Sequence, residues 1–134
     1  MKSYCSVLGR AFSERADGLL SRLAEGETVT DRVRKLVAQH LSSGQVTMHW
    51  AGRNLGVSPP TLRRYLEEED GTFSGIVDDV RREIAERELR GKCNIGEIAF
   101  RLGFSSLGAF DRAFKRWHDI LPTEYRARHA ASRD

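Results

Sequence analysis

Two stretches of this chain match each other, and the match limits the fold more than any other feature. AGRNLGVSPPTLRRYL, residues 51–66, aligns with IAFRLGFSSLGAFDRAF, residues 98–114. Working back from the glycine, Gly52 pairs with Ala99, Leu55 with Leu102 and Gly56 with Gly103. Forward, Val57 pairs with Phe104 and Ser58 with Ser105. The second stretch then has one extra residue in its turn. Beyond it, Leu62 pairs with Phe110, Arg64 with Arg112 and Leu66 with Phe114. A small residue partway along the first helix would let the second helix cross it closely. A glycine at that helix's end supplies the left-handed backbone of a tight turn. An apolar residue plugs the angle, and a serine caps the next helix. This is the pattern of a helix-turn-helix, present twice.

The rest of the chain reads as helix. Phe12, Leu19, Leu20 and Leu23 set a helical spacing over 10–25, weakened by Gly18 and stopped by Gly26. Thr30 reads as the cap of a second helix, with Asp31 at its positive end and Val33, Leu36, Val37 and Leu41 as its buried stripe. Thr47 caps a short helix over 48–55. Ser58, followed by Pro59, caps the next, which runs to about Glu69. A longer helix follows, about 73–91. Asn94 and Glu97 resemble a reciprocal capping box for a short helix over 95–102. Ser105 or Ser106 caps the helix that runs through Trp117, and the last helix begins near Pro122. The expected fold is all-α: two helix-turn-helix subdomains joined by a long linker helix, about seven helices plus an N-terminal helical segment.

Charge sharpens the functional reading. The formal net charge is +3, a weak pointer to nucleic acid by itself. Its placement is uneven. From Thr30 to Leu66 the bases are Arg32, Arg34, Lys35, Arg53, Arg63 and Arg64, against Asp31 alone. From 67 to 79 there are only acids: Glu67, Glu68, Glu69, Asp70, Asp78 and Asp79. The acidic run reads as a solvated face or a protein contact surface. The second helix of each repeat would lie in a DNA major groove. Its outer face carries Thr61, Arg63 and Arg64 in the first copy, and Leu107, Gly108, Asp111 and Arg112 in the second. Arginine can donate twice to guanine, and an aspartate can accept from cytosine. Arg112 has an alternative as the partner of an internal ion pair. A joining helix of about 19 residues would be ~28 Å long, near the ~34 Å between successive major-groove segments on one DNA face.

Other chemistries find little support. The two cysteines, Cys5 and Cys93, are too few and too far apart for a disulfide scaffold or zinc site. His40, His49, His118 and His129 share no ligand spacing, and His118-Asp119 lacks a nucleophile. No apolar run approaches the ~20 residues of a membrane span, and the N-terminal apolar run is too short for a signal peptide. The expectation is a cytoplasmic, non-enzymatic protein with no catalytic residues, no metal and no cofactor. Two readings remain: a sequence-specific regulator, and a helical protein-interaction module that keeps the fold with weak or no DNA binding.

Residues 97–126, EIAFRLGFSSLGAFDRAFKRWHDILPTEYR, resemble the C-terminal signature of AraC/XylS-type transcription regulators. The matching positions are Ile98-Ala99, Gly103-Phe104, Phe110, Arg112, Phe114-Lys115-Arg116, Pro122 and Tyr125-Arg126. Residues 55–73 resemble the same family's first helix-turn-helix, and the likeness covers roughly 30–128. It implies a bacterial, promoter-binding protein, often an activator that touches RNA polymerase, with double-stranded DNA as partner. By position it assigns base reading to Pro60, Thr61, Arg63, Arg64, Leu107, Gly108, Asp111 and Arg112. Phosphate contacts fall to Thr47, Ser58, Ser105, Ser106, Lys115 and Arg116. Gly108 stands where the family often has a polar residue, and Asp119 where glycine is common. Family members usually carry an effector or dimerisation domain before this one. Residues 1–29 read as the last helix and linker of such a domain, 30–128 as a DNA-binding domain that is monomeric by itself, and 129–134 as a tail.

Overall fold

In the computed structural model, residues 13–133 are described, with side chains over 18–130. Phe12 and Cys5 lie outside the described residues. Among these residues there are eight α-helices and no strand: α1 Ser13–Arg22, α2 Val29–His40, α3 Met48–Leu55, α4 Pro59–Glu68, α5 Phe73–Leu89, α6 Ile95–Arg101, α7 Leu107–His118 and α8 Pro122–Arg133. A 3₁₀ turn, Leu41–Ser43, follows α2 and ends at left-handed Gly44. The helices form two compact units. The described part of the first covers 13–36 and 46–76; that of the second covers 37–45 and 77–133.

In the first unit, Leu19, Val29, Val33, Leu55, Leu62 and Leu66 are buried. The start of α2 differs from expectation. The helix begins at Val29, so Thr30 is inside it. Thr28 is the capping residue: its Oγ1 accepts from the Asp31 amide at 3.0 Å, and the Asp31 carboxylate accepts from the Thr28 amide at 3.2 Å. Glu69 completes this end. Its carboxylate accepts from the Val29 and Thr30 amides at 3.1 and 2.8 Å and from the Thr30 hydroxyl. One member of the acidic run is therefore a ligand for a helix N-terminus, where negative charge is favoured. Gly26 is left-handed but lies in the loop, four residues past the end of α1.

Glu27 anchors that loop. Its carboxylate accepts from the Ala24 amide at 2.9 Å, from Lys35 at 2.9 Å and from Arg32 at 3.0 Å. These partners cover it at the surface. The Ala24 bond, then Lys35 and Arg32, lower its pKa from 4.5 to about 2.

In the second unit, Phe110 and Phe114 are fully buried and meet edge to face. Phe114 also stacks on His118 and meets the edges of Trp117 and Tyr125. Phe104 and Trp117 are half-buried at the rim of this cluster. On α8, Tyr125 is buried and Arg126 donates through Nε to the Leu89 carbonyl at 3.0 Å, satisfying the end of α5. That helix has 17 residues, about 25 Å at 1.5 Å per residue, slightly shorter than expected. Asp119 ends α7 in the left-handed region, φ 63°, which explains why a glycine would suit that position.

Candidate nucleic-acid interface

Each unit holds one helix-turn-helix. In the first, Thr47 caps α3 by accepting from the Trp50 amide at 3.1 Å. The helix stops at Gly56, whose φ of 76° is left-handed. Ser58 then caps α4 by accepting from the Thr61 amide at 3.3 Å, and Pro59 takes the first helical position, where no N–H is needed. In the second unit, Asn94 caps α6 by accepting from the Glu97 amide at 3.2 Å. The expected return bond from Glu97 is replaced: its carboxylate accepts from the Cys93 thiol at 3.7 Å. Gly103, φ 86°, makes the turn, and Ser106 caps α7 by accepting from the Ala109 amide at 3.1 Å.

The caps fix the register of the repeat. Ser58 corresponds to Ser106, so Ser105 is the extra turn residue and caps nothing. From those serines, Pro59 matches Leu107, Pro60 matches Gly108, Arg63 matches Asp111 and Arg64 matches Arg112. Leu62 with Leu66, and Phe110 with Phe114, occupy the same buried stripe in the two helices. The small residue of the first copy, Gly52, also has a more specific reason than helix crossing. A Cβ on Gly52 would lie 2.7 Å from the Val57 carbonyl oxygen, in the turn itself.

Opposite the buried stripe, α4 presents Pro60, Arg63 and Arg64 to solvent, with Thr61 half-buried. The Thr61 Oγ1 accepts from the Ser58 hydroxyl at 3.0 Å. Ser58 thus spends both its proton and a lone pair inside the cap. On α7, Leu107 is 48% exposed. Gly108 and Arg112 are exposed and Asp111 is half-buried. Arg112 folds back along the helix: its Nη1 lies 3.5 Å from the point a Gly108 Cβ would occupy. The guanidinium one turn later lies over the bare face of Gly108, at ordinary contact distance from that point. This contact had no signal in the sequence beyond the i, i+4 spacing.

Lys115, Arg116, Ser105 and Thr47 are exposed. Arg116 lies 3.6 Å from Asp78 in a surface pair. Two further arginines hold the turns. Arg22 donates through Nη2 to the Leu55 carbonyl at 2.9 Å, and Arg81 through Nε to the Leu102 carbonyl at 2.9 Å. Burial pushes the Arg81 guanidinium below its ordinary value. Among the described residues no group of His, Cys, Asp and Glu could hold a metal ion. No helix there is long and apolar enough to cross a membrane.

A family model for a helix-turn-helix domain matches residues 52–128. The ornithine utilization regulator of Pseudomonas aeruginosa is 33% identical over 114 residues, covering 84% of this chain and 33% of that protein. The chain spans about a third of the length of that relative and of the mycobacterial regulator VirS. The C-terminal domain of AraT, a response regulator from Geobacillus stearothermophilus, superposes with a TM-score of 0.67 at 30% identity, covering 79% of this chain and 87% of that one. The DNA-binding domain of the transcription factor AdpA, solved with a target DNA, shares the fold: TM-score 0.66, 24% identity, 80% of this chain and 97% of that one.

Proposed function

The chain belongs to the AraC-type helix-turn-helix family of DNA-binding regulators, and from that premise we propose that α4 and α7 are the two helices that read duplex DNA at a promoter. The carrying observation is the matched outer face. Counted from the capping serines, the same helical positions stand opposite the same buried stripe in both units. In α4, Arg63 and Arg64 supply bidentate donors suited to guanine, while Pro60 offers only apolar surface. In α7, Arg112 is the guanine reader, Asp111 an acceptor for the cytosine amino group, and exposed Leu107 an apolar contact for a thymine methyl. Gly108 makes no base contact in this reading and serves by seating Arg112.

Thr47, Ser105 and Lys115 face phosphates, which position a protein without conveying sequence. Ser58 and Ser106 contribute through the backbone amides at their helix N-termini, and Arg116 shares its charge with Asp78. Both readers sit on one chain, so the domain binds as a monomer to two adjacent groove segments. RNA polymerase as a second partner, dimerisation through sequence outside this chain and a bacterial cytoplasmic setting extend the same proposal to the whole protein.

Selection from a random duplex pool tests this reading. The expected product is one enriched site with two half-sites. Arg64→Ala and Arg112→Ala should each relax one half-site, costing ~1–3 kcal/mol there. No enrichment would replace the reading with that of a helical protein-interaction module.

A further inference from the structure

We propose that Arg22 and Arg81 are matched positioning residues, each locking the turn of one reader, and that the first reader is therefore complete only with α1 in place. The inference rests on α4 and α7 being the readers. Leu55 and Leu102 are equivalent positions of the repeat, each immediately before the left-handed glycine. The last carbonyls of a helix lack intrahelical partners and carry its negative end. The turn amides do not serve these two: the Val57 amide donates to Gly52 at 3.0 Å, and the Phe104 amide donates to Ala99 at 3.1 Å. In both units an arginine from outside the repeat meets the remaining carbonyl at 2.9 Å.

Both guanidiniums also cover the turn glycine. The Arg22 Nη2 lies 3.2 Å from where a Gly56 Cβ would be, and the Arg81 Nη2 lies 3.4 Å from the corresponding point at Gly103, which the Leu41 carbonyl oxygen approaches more closely, at 2.6 Å. The second clamp has an added contact, since the Arg81 guanidinium lies 4.6 Å from the Phe104 ring centroid. Val57, at the matching place in the first turn, has no ring to offer. The first clamp is braced from its own side instead. The Arg22 Nε donates to Gly18 at 2.9 Å, and Arg32, paired with Glu27, donates to the Arg22 carbonyl at 2.7 Å.

The two arginines differ in where they come from. Arg81 stands on α5, inside the second unit. Arg22 ends α1, outside the helix-turn-helix it serves. Its bond to Leu55 makes α1 part of the first reader's machinery. Whatever moves α1 acts on the angle between α3 and α4.

The test compares Arg22→Ala, Arg22→Lys and Arg81→Ala in the full chain. Each is titrated against the selected duplex and against single-base variants of it. Half-sites are assigned by the flattening that Arg64→Ala and Arg112→Ala produce. Arg22→Ala should weaken the selected site by on the order of tenfold, the scale of one charge-assisted hydrogen bond. Base discrimination should be lost only in the first half-site, with the salt slope unchanged. Arg81→Ala should do the same in the second. Arg22→Lys, whose ammonium can still reach one carbonyl, should recover most of the discrimination. Uniform weakening with a salt slope lower by about one would mark a phosphate contact and overturn the proposal. So would equal loss at both half-sites, or no loss. Amide exchange without DNA tests the clamp separately from DNA reading. Arg22→Ala should speed exchange at Val57 and leave Phe104 unchanged, and Arg81→Ala should do the reverse. Unchanged exchange at both amides refutes the clamp. A wild-type chain without sequence preference refutes the reading of α4 and α7 instead.

Discussion

Replacing Gly52 with alanine sets two effects of similar size against each other, and the structure decides the sign. In an open helix, glycine to alanine gains about 1 kcal/mol of helix propensity. At Gly52 the new Cβ would sit 2.7 Å from the Val57 carbonyl oxygen, 3.5 Å from the Pro59 nitrogen and 3.6 Å from the Ser58 carbonyl carbon. The first distance is about 0.6 Å short of the ~3.3 Å at which carbon and carbonyl oxygen ordinarily meet. All three obstacles are backbone, so no side chain can swing away. Overpacking of this kind costs about 1–3 kcal/mol, and a rigid obstacle places it in the upper half of that range. The net expectation is a loss of about 1–2 kcal/mol in the first unit. Gly18→Ala is the control, because nothing lies within 4 Å of its Cβ position. There the propensity gain should stand alone. Denaturant unfolding is followed by fluorescence, to which Trp50 contributes from the first unit and Trp117 from the second. A Trp117→Phe background isolates the first. If Gly52→Ala stabilises that unit as Gly18→Ala does, the close approach of the turn is wrong.

The Glu27 carboxyl is held at about 2 by the Ala24 amide, Lys35 and Arg32. A lowered folded-state pKa adds stability above the unfolded value of about 4.5, and that contribution is lost as the pH falls toward 2. Acid titration of unfolding should therefore show a decline across that window which Glu27→Gln abolishes; an unchanged decline would mean other carboxylates cause it. At Gly108, alanine would meet the Arg112 guanidinium in ordinary contact, whereas leucine would take its seat. Gly108→Ala should keep the second half-site's base preference, and Gly108→Leu should flatten it by ~1–3 kcal/mol. Equal preference in both variants would show that Arg112 does not use the seat.

The repeat was legible because its signals are local. Gly56 and Gly103 make left-handed turns, and serines cap both second helices. Leu62, Leu66, Phe110 and Phe114 bury at helical spacing. Registers were harder, because two adjacent serines each satisfied the capping rule and only geometry separates Ser106 from Ser105. The same ambiguity misplaced the start of α2. Thr30-Asp31 fits a cap by itself, but Thr28 and Asp31 form the reciprocal pair, and Glu69 arrives from 39 residues away. No short-range pattern encodes that partner. The contacts of Arg22 and Arg81 lie outside local pattern for the same reason: their partner carbonyls are 33 and 21 residues away. Gly108 reads by position as a base reader, because a glycine's use as space depends on which neighbour lies over it.

The most direct test of the central claim is the affinity of the full chain for its selected duplex and a scrambled one across a salt series. Two readers backed by phosphate contacts predict a steep linear fall of log affinity with log salt on both duplexes. The selected sequence should bind at least ~10³-fold more tightly at physiological salt. Lys115→Ala should lower the slope by about one while leaving the preference intact. Affinity that ignores salt, or equal affinity for the two duplexes, would contradict the account of α4 and α7 as readers of DNA.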